Sequence, residues 1–263
     1  MTDYPTGLGT SDRDTISLLG HDLAGDLLGT VTFGELAFWM ATQQRPAPGQ
    51  LRVFEAVLVS LADHGFTPTA IAARLTYYSA PDSLQGAIAA GLLGGGSRFL
   101  GVTEDTGLFL HTALADLGDT SSFTDEQWDA AALTLLAQTK QAGRRVPGLG
   151  HPVHKLRDPR TDVIIRIADE QGLRGAHLRL FEAIGRTNGQ VLGKDLPLNG
   201  AGVAGAALAD LGLPIELLRG FALLARTAGL IGHLAEERIN PIAPAIYAEV
   251  DRNAVYVPAT PTN

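Results

Sequence analysis

The sequence predicts an all-α fold, and three observations carry that expectation. Helix-start signals recur along the 263 residues, each followed by apolar residues at helical spacing. Alternating runs of β-branched residues, which a parallel sheet set between helices requires, are nearly absent. Two Gly- and Pro-rich stretches, residues 91–101 and 143–159, break the helical text where loops are expected.

The elements follow in order. At most, residues 16–20 and the residues around Val31 make a small hairpin. Thr32 with Glu35 three residues later is a capping box ahead of residues 34–44. Residues 50–65 place Leu51, Phe54, Val57, Leu58 and Leu61 on one helical face and stop at Gly65. Thr67, followed by Pro68 at the first helical position, opens 67–79, and Asp82 caps 83–93. Thr124 with Gln127 repeats the capping box ahead of 127–143. Asp158-Pro159 opens 160–172, and Pro214 opens 215–237. The chain then divides into an N-terminal segment (1–30) with the short hairpin, a helical unit (31–250) and a tail (251–263) whose last residues read as frayed.

Composition narrows the function classes. Lys and Arg number 20 against 28 Asp and Glu, a net charge of −8, which argues against a nucleic-acid partner. The absence of cysteine removes disulfides, thiolate nucleophiles and cysteine-based zinc sites, and it suits the cytoplasm. Residues 1–14 carry neither a basic nor an apolar signal region, so no secretory leader is expected. The most apolar stretch, 214–234, is interrupted by Arg219, Arg226 and His233 and reads as a core helix, not as a membrane span.

Gly200-Ala201-Gly202-Val203-Ala204-Gly205 matches the dinucleotide fingerprint G-x-G-x-x-G. That motif has meaning only after a strand and before a helix. Residues 191–199 contain Gly193, Lys194, Asp195 and Pro197 and do not read as a buried strand. A nicotinamide oxidoreductase is therefore a remote alternative, and no NAD is expected. The favoured reading is a small-residue helix over 200–212 that packs closely against another backbone, because interior glycines otherwise cost a helix about 1 kcal/mol each.

The charge pattern points to an anionic small ligand. Arg144, Arg145, Lys155, Arg157 and Arg160 cluster around His151 and His154, with Asp158 as the acidic residue among them. A solvated basic loop is the competing reading. Arg160 falls in the first turn of a helix, where a cation opposes the dipole and free N–H groups add positive potential suited to a carboxylate or phosphate. His151, in Gly148-Leu149-Gly150-His151-Pro152, suits proton transfer or oxyanion stabilisation. With no acidic or Cys partner at ligand spacing, no metal is expected. Arg219, Arg226 and His233 recur every seven residues and share one helix face, so either that face meets solvent or Arg226 meets an anion in a cleft. His64, by itself, reads as a histidine at a helix C-terminus.

Four ordered motifs, LADHG (61–65), GLLGGGSRF (91–99), PGLGHPVHKLRDPR (147–160) and LARTAGLIGHLAEE (224–237), make the chain resemble the citrate synthase superfamily over roughly residues 20–240. The resemblance lies on the citryl-CoA lyase side, which includes the C-terminal module of ATP citrate lyase. It implies a large and a small helical domain, the small one within about 124–225, a homodimer, and a coenzyme A thioester as substrate. It implies that His64 contacts the oxo-acid portion, that His151 polarises the oxygen at the bond made or broken, and that Arg160 and Arg226 bind substrate carboxylates. It also places Arg98 and Lys194 near positions that meet CoA phosphates.

Three departures accompany it. Gly94 stands where citrate synthases carry the histidine of G-P-L-H-G-G, which the citrate lyase branch also lacks. Ala201 stands at the aspartate of the L-N-V-D-G motif, and a methyl group transfers no proton. Residues 239–249 hold no arginine to serve a further carboxylate. The expected function is a CoA-thioester-dependent C–C lyase or condensing enzyme, converting a 3-hydroxyacyl-CoA such as citryl-CoA to an oxo acid and acetyl-CoA or the reverse, with altered substrate or mechanism. The alternative is a catalytically silent CoA-binding or partner-subunit relative.

Overall fold

The structure, a computed structural model, describes residues 2–151 and 153–258. Among them are eleven α-helices and one small antiparallel sheet, as the sequence predicts for the fold class. The sheet is β1 (Gly9–Ser11), β2 (Ile16–Leu18) and β3 (His21–Asp22), with β2 in the middle. Val31 joins no strand; its N–H is taken by Leu27 O in a turn. Among the described residues, no helix is long and apolar enough to cross a membrane.

The chain forms two compact units, residues 1–61 with 100–222 and residues 62–99 with 223–263. The first holds the sheet, α1 (Phe33–Thr42), α2 (Pro48–Ala62) up to Leu61, α5 (Val102–Leu117), α6 (Asp125–Gln141), α7 (Pro159–Glu170), α8 (Ala176–Leu192), α9 (Gly200–Asp210) and the start of α10 (Leu218–Glu237). The caps explain several starts. Thr124 and Gln127 make a full reciprocal capping box on α6. Thr32 caps α1 by accepting from Glu35 N, while the Glu35 carboxylate turns to Arg45. Fully buried Phe54 sits edge-on between Phe38 and Phe221, with centroids 5.4 and 5.3 Å away. Burying such a ring stabilises the unit by about 2–3 kcal/mol.

Helix α9 lies at the centre of this unit, packed on α5, α7 and α8. Every α9 residue except Ala201 and Asp210 is buried. Its three fingerprint glycines each answer a close approach. A Cβ on Gly200 would lie 2.4 Å from Arg160 Nε, one on Gly202 2.7 Å from Gly148 Cα, and one on Gly205 2.1 Å from Thr103 O. The segment entering α9 is a loop, not a strand, so the dinucleotide context is missing.

The second unit holds α3 (Pro68–Ser79), α4 (Leu84–Leu93), the rest of α10 and α11 (Ala243–Arg252). Thr67 caps α3 with Pro68 at its first position. Helix α4 starts one residue later than Asp82 would set it: its cap position is Ser83, without a side-chain cap bond. Ala73, Ala87, Leu230 and Leu234 form the core of this unit, flanked by Tyr77, Ile88 and Leu92. Gly91, where the helix expected over 83–93 overlaps the Gly-rich stretch, lies in α4, and a Cβ there would meet Leu230 at 2.7 Å.

Candidate active site

In the first unit, the loop leading to His151 is stitched to the segment that opens α9. Gly150 N donates to Pro197 O (2.8 Å), Asn199 N to Gly148 O (2.9 Å), and Asn199 Nδ2 to Gly150 O (2.9 Å). The same Asn199 caps α9, its Oδ1 accepting from Gly202 N. Gly148 and Gly150 have φ of +79° and +78°, a left-handed conformation that strains any other residue. The Gly-Leu-Gly spelling is thus fixed by backbone shape.

His151, half-buried, is oriented by that loop. Its Nδ1 accepts from Val153 N (3.1 Å) and His154 N (3.0 Å). A ring nitrogen that accepts carries no proton, so the neutral ring bears its proton on Nε2. The His154 ring stacks on it with centroids 4.5 Å apart. Pro152 lies outside the described residues. Ala201 is the second residue of α9, at the positive end of that helix and partly accessible.

Arg160 is held by the carboxylate of Asp158, the residue that also opens α7. Asp158 caps α7 and is fully buried. Its Oδ1 accepts from Arg160 N and Nε (3.1 and 3.0 Å), and its Oδ2 from Arg160 Nη2 (2.8 Å) and Gly200 N (2.7 Å). Arg160 Nη1 donates to Ser60 O. Among the described residues, three of the five guanidinium N–H groups are therefore engaged, and two remain. The rest of the basic island is also partly neutralised, Arg157 by Asp162 on α7.

Burial would raise the Asp158 carboxyl, but hydrogen bonds from the Arg160 side chain and from Gly200 and Arg160 N–H, with the guanidinium charge, hold it well below the usual carboxylate range. A depressed folded pKa stabilises the protein at every pH above the unfolded value of about 4, and that stabilisation is lost as pH falls below it. Asp158→Asn should cost about 2–3 kcal/mol at neutral pH, less than for a fully buried pair because Arg160 reaches solvent. The variant should also lose less stability than the parent between about pH 5 and 2. Urea melts across that range check both, and parallel acid limbs would contradict the assignment.

In the second unit, half-buried His64 lies two residues beyond the end of α2, between Asp63 and Gly65, whose φ is +70°. Arg226 is buried and donates from Nη1 to Thr67 Oγ1 at 3.2 Å. The seven-residue stripe thus does not face solvent: Arg226 and His233 are buried, and Arg219 meets Glu104 and Asp105 in the first unit. Arg98 and Lys194 are exposed. The sequence reading missed Arg74, fully buried on α3 and bound to His233, Glu236 and Glu237. A lone arginine at a buried helical spacing was its only signal.

Comparison with known proteins agrees with this architecture. The profile of the family "Citrate synthase, C-terminal domain" matches residues 29–244. Citryl-CoA lyase from Hydrogenobacter thermophilus superposes with a TM-score of 0.84 at 28% identity, covering 99% of this chain and 96% of that one. An aspartate-to-alanine mutant of ATP citrate lyase from Methanosaeta concilii, in complex with (3S)-citryl-CoA, shares the fold (TM-score 0.76, 20% identity, 98% of this chain and 42% of that one). Citrate synthase of Haloferax volcanii is 26% identical over 208 residues, 76% of this chain and 50% of its own length. The chain spans about half the length of the curated relatives it matches. With 29–244 matched and the helical architecture shared, the chain belongs to the citrate synthase C-terminal domain family.

Proposed function

We propose that this chain is a CoA-thioester lyase of the citryl-CoA type, running toward cleavage. One observation carries the reading: the likeness to a citryl-CoA lyase spans nearly the whole of both chains, whereas the citrate synthases match over about half their length. Within that reading His151 and His64 are each catalytic residues. The substrate hydroxyl gives its proton to a water molecule, and His151 Nε2–H stabilises the resulting alkoxide oxygen as it becomes the oxo oxygen. The scissile C–C bond gives its electron pair to the thioester enolate, whose carbon is then protonated. Arg160, through its two remaining N–H groups, and Arg226 orient carboxylates. Arg98 and Lys194 meet CoA phosphates, and the unit of function is a cytoplasmic homodimer without metal or NAD.

Ala201 makes water the proton donor to the enolate carbon. Both directions cross the same proton-transfer transition state, so the missing carboxylate slows cleavage and condensation alike. Incubation with citryl-CoA should release acetyl-CoA and the oxo acid, and no release would overturn the reading. Ala201→Asp should raise the rate about 100-fold or more. The carboxylate would sit at a helix N-terminus, which favours it by about 0.3–1 kcal/mol, so the variant should fold. Activity in the variant alone would instead favour a silent relative, the reading that Ala201 itself supports. An active parent harmed by the change would mean a site retuned for another substrate.

A further inference from the structure

In the second unit, a chain of buried polar contacts ends on the residue next to His64. Arg74 Nε donates to His233 Nδ1 (3.1 Å), and His233 Nε2 meets Asp63 Oδ1 (2.9 Å). Arginine only donates, so His233 Nδ1 accepts, the ring proton lies on Nε2, and Nε2–H donates to Asp63. The ring has one tautomer and one orientation. Arg74 is itself fixed at its other end by Glu236 and by Glu237 Oε2 (2.8 Å). Glu237 Oε1 takes the N–H groups of Ile242 and Ala243 where α11 begins. Burial would raise the Glu237 carboxyl, but those bonds and Arg74 pull it below its ordinary value.

The receiving end is a tight turn. Asp63 Oδ2 accepts from Gly65 N (2.9 Å), and the ring of Phe66 lies under the Arg74 guanidinium, 5.1 Å from Cζ to centroid. Residue 64 is therefore bracketed by two residues that the network grips. The backbone is close-set here as well: a Cβ on Gly229, one turn before His233 on α10, would fall 2.0 Å from Ala62 O. A buried arginine paired with buried Glu237 is a costly way to join helices when apolar residues would do so more cheaply. Such a network does fix a geometry, because each member allows one partner arrangement.

We propose that His233 is a positioning residue: held between Arg74 and Asp63, it sets the turn that aims the His64 ring. The role at substrate rests on the lyase reading above, while the positioning itself does not. Two readouts separate them. The first needs no turnover: the ring resonances of His64 in the full chain, assigned by their loss in His64→Gln. His233→Leu and Asp63→Ala should each shift or broaden those resonances. His233→Gln should keep them, because its amide oxygen can accept from Arg74 while its N–H₂ donates to Asp63. Asp63 is half exposed, so its truncation leaves no core cavity should His233→Leu fail to fold. Unmoved His64 resonances in folded Asp63→Ala and His233→Leu would overturn the proposal.

The second readout is kcat on citryl-CoA. His233→Leu should lower it about 10- to 100-fold, with a smaller change in KM, as misplacement of a reacting group does. In a His64→Ala background the same change should cost nothing further. An equal cost in both backgrounds would make His233 merely structural and sink the idea. A parent without turnover would end the lyase reading and leave the resonance test standing.

Discussion

His151→Asn is expected to lower kcat about 100- to 10,000-fold, the range for losing a positioned proton donor, while the melting temperature stays within a few degrees of the parent. The choice of asparagine follows from the hydrogen bonds. His151 Nδ1 takes two backbone N–H groups, from Val153 and His154. Asparagine Oδ1 stands at nearly the same distance from the backbone and can accept both, so the loop survives. What disappears is Nε2–H, the donor proposed for the developing oxyanion. His151→Ala removes both functions and should match the activity loss while also loosening residues 153–155, where Lys155 Nζ holds the His151 carbonyl. If His151→Asn turns over citryl-CoA at the parent rate, Nε2 is not the catalytic group, and the reading of this loop fails with it.

How much of this was legible in the sequence depends on the range of the interaction that decides each feature. Thr67-Pro68, Thr124 with Gln127, and Asp158-Pro159 are local devices whose partners lie within three residues, and each starts a helix in the structure. Asp82 missed by one residue, since neighbouring Asp82 and Ser83 are both eligible caps and the structure places Ser83 there. The helices without such a signal, α5, α8 and α11, went unread: Gly101, Gly175 and Ile242 precede them, none with a side-chain cap bond. On α8 the missing cap comes from Asp210, which takes the N–H groups of Gly175, His177 and Leu178 from 32–35 residues away.

The site shows the same division. Motif and charge spacing single out His151, Arg160 and Arg226 in the sequence, and the family resemblance adds His64. Their electrostatic state could not be read there. Arg160 looked like an unopposed cation at a helix start, yet the cap residue two positions earlier turns its carboxylate back on the guanidinium and also takes Gly200 N, 42 residues away. Arg74 meets partners about 160 residues distant in sequence, so no local pattern could pair it.

Gly205→Ala is expected to destabilise the first unit by about 3 kcal/mol or more, a fall in melting temperature of roughly 6–12 °C for a chain of this size. The added methyl would stand 2.1 Å from the carbonyl oxygen of Thr103 and 2.9 Å from its carbon. Those are backbone atoms inside α5 and cannot swing aside as a side chain would. The same crossing is tight from the other helix: a Cβ on Gly107 would lie 3.5 Å from Gly205 O and 2.3 Å from Leu218 Cδ1. Alanine's advantage over glycine as a helix former, about 1 kcal/mol, is outweighed by forcing the two helices apart. Gly220→Ala is the internal control, because it sits in a helix with nothing within 4 Å of the new Cβ and should be neutral or stabilising by up to about 1 kcal/mol. The pair also discriminates between the two meanings of G-x-G-x-x-G. A glycine kept for a bound pyrophosphate can become alanine with the fold intact and the ligand lost. A glycine kept for helix contact costs the fold whatever ligand is present, so a Gly205→Ala protein as stable as its parent would reopen the nucleotide reading.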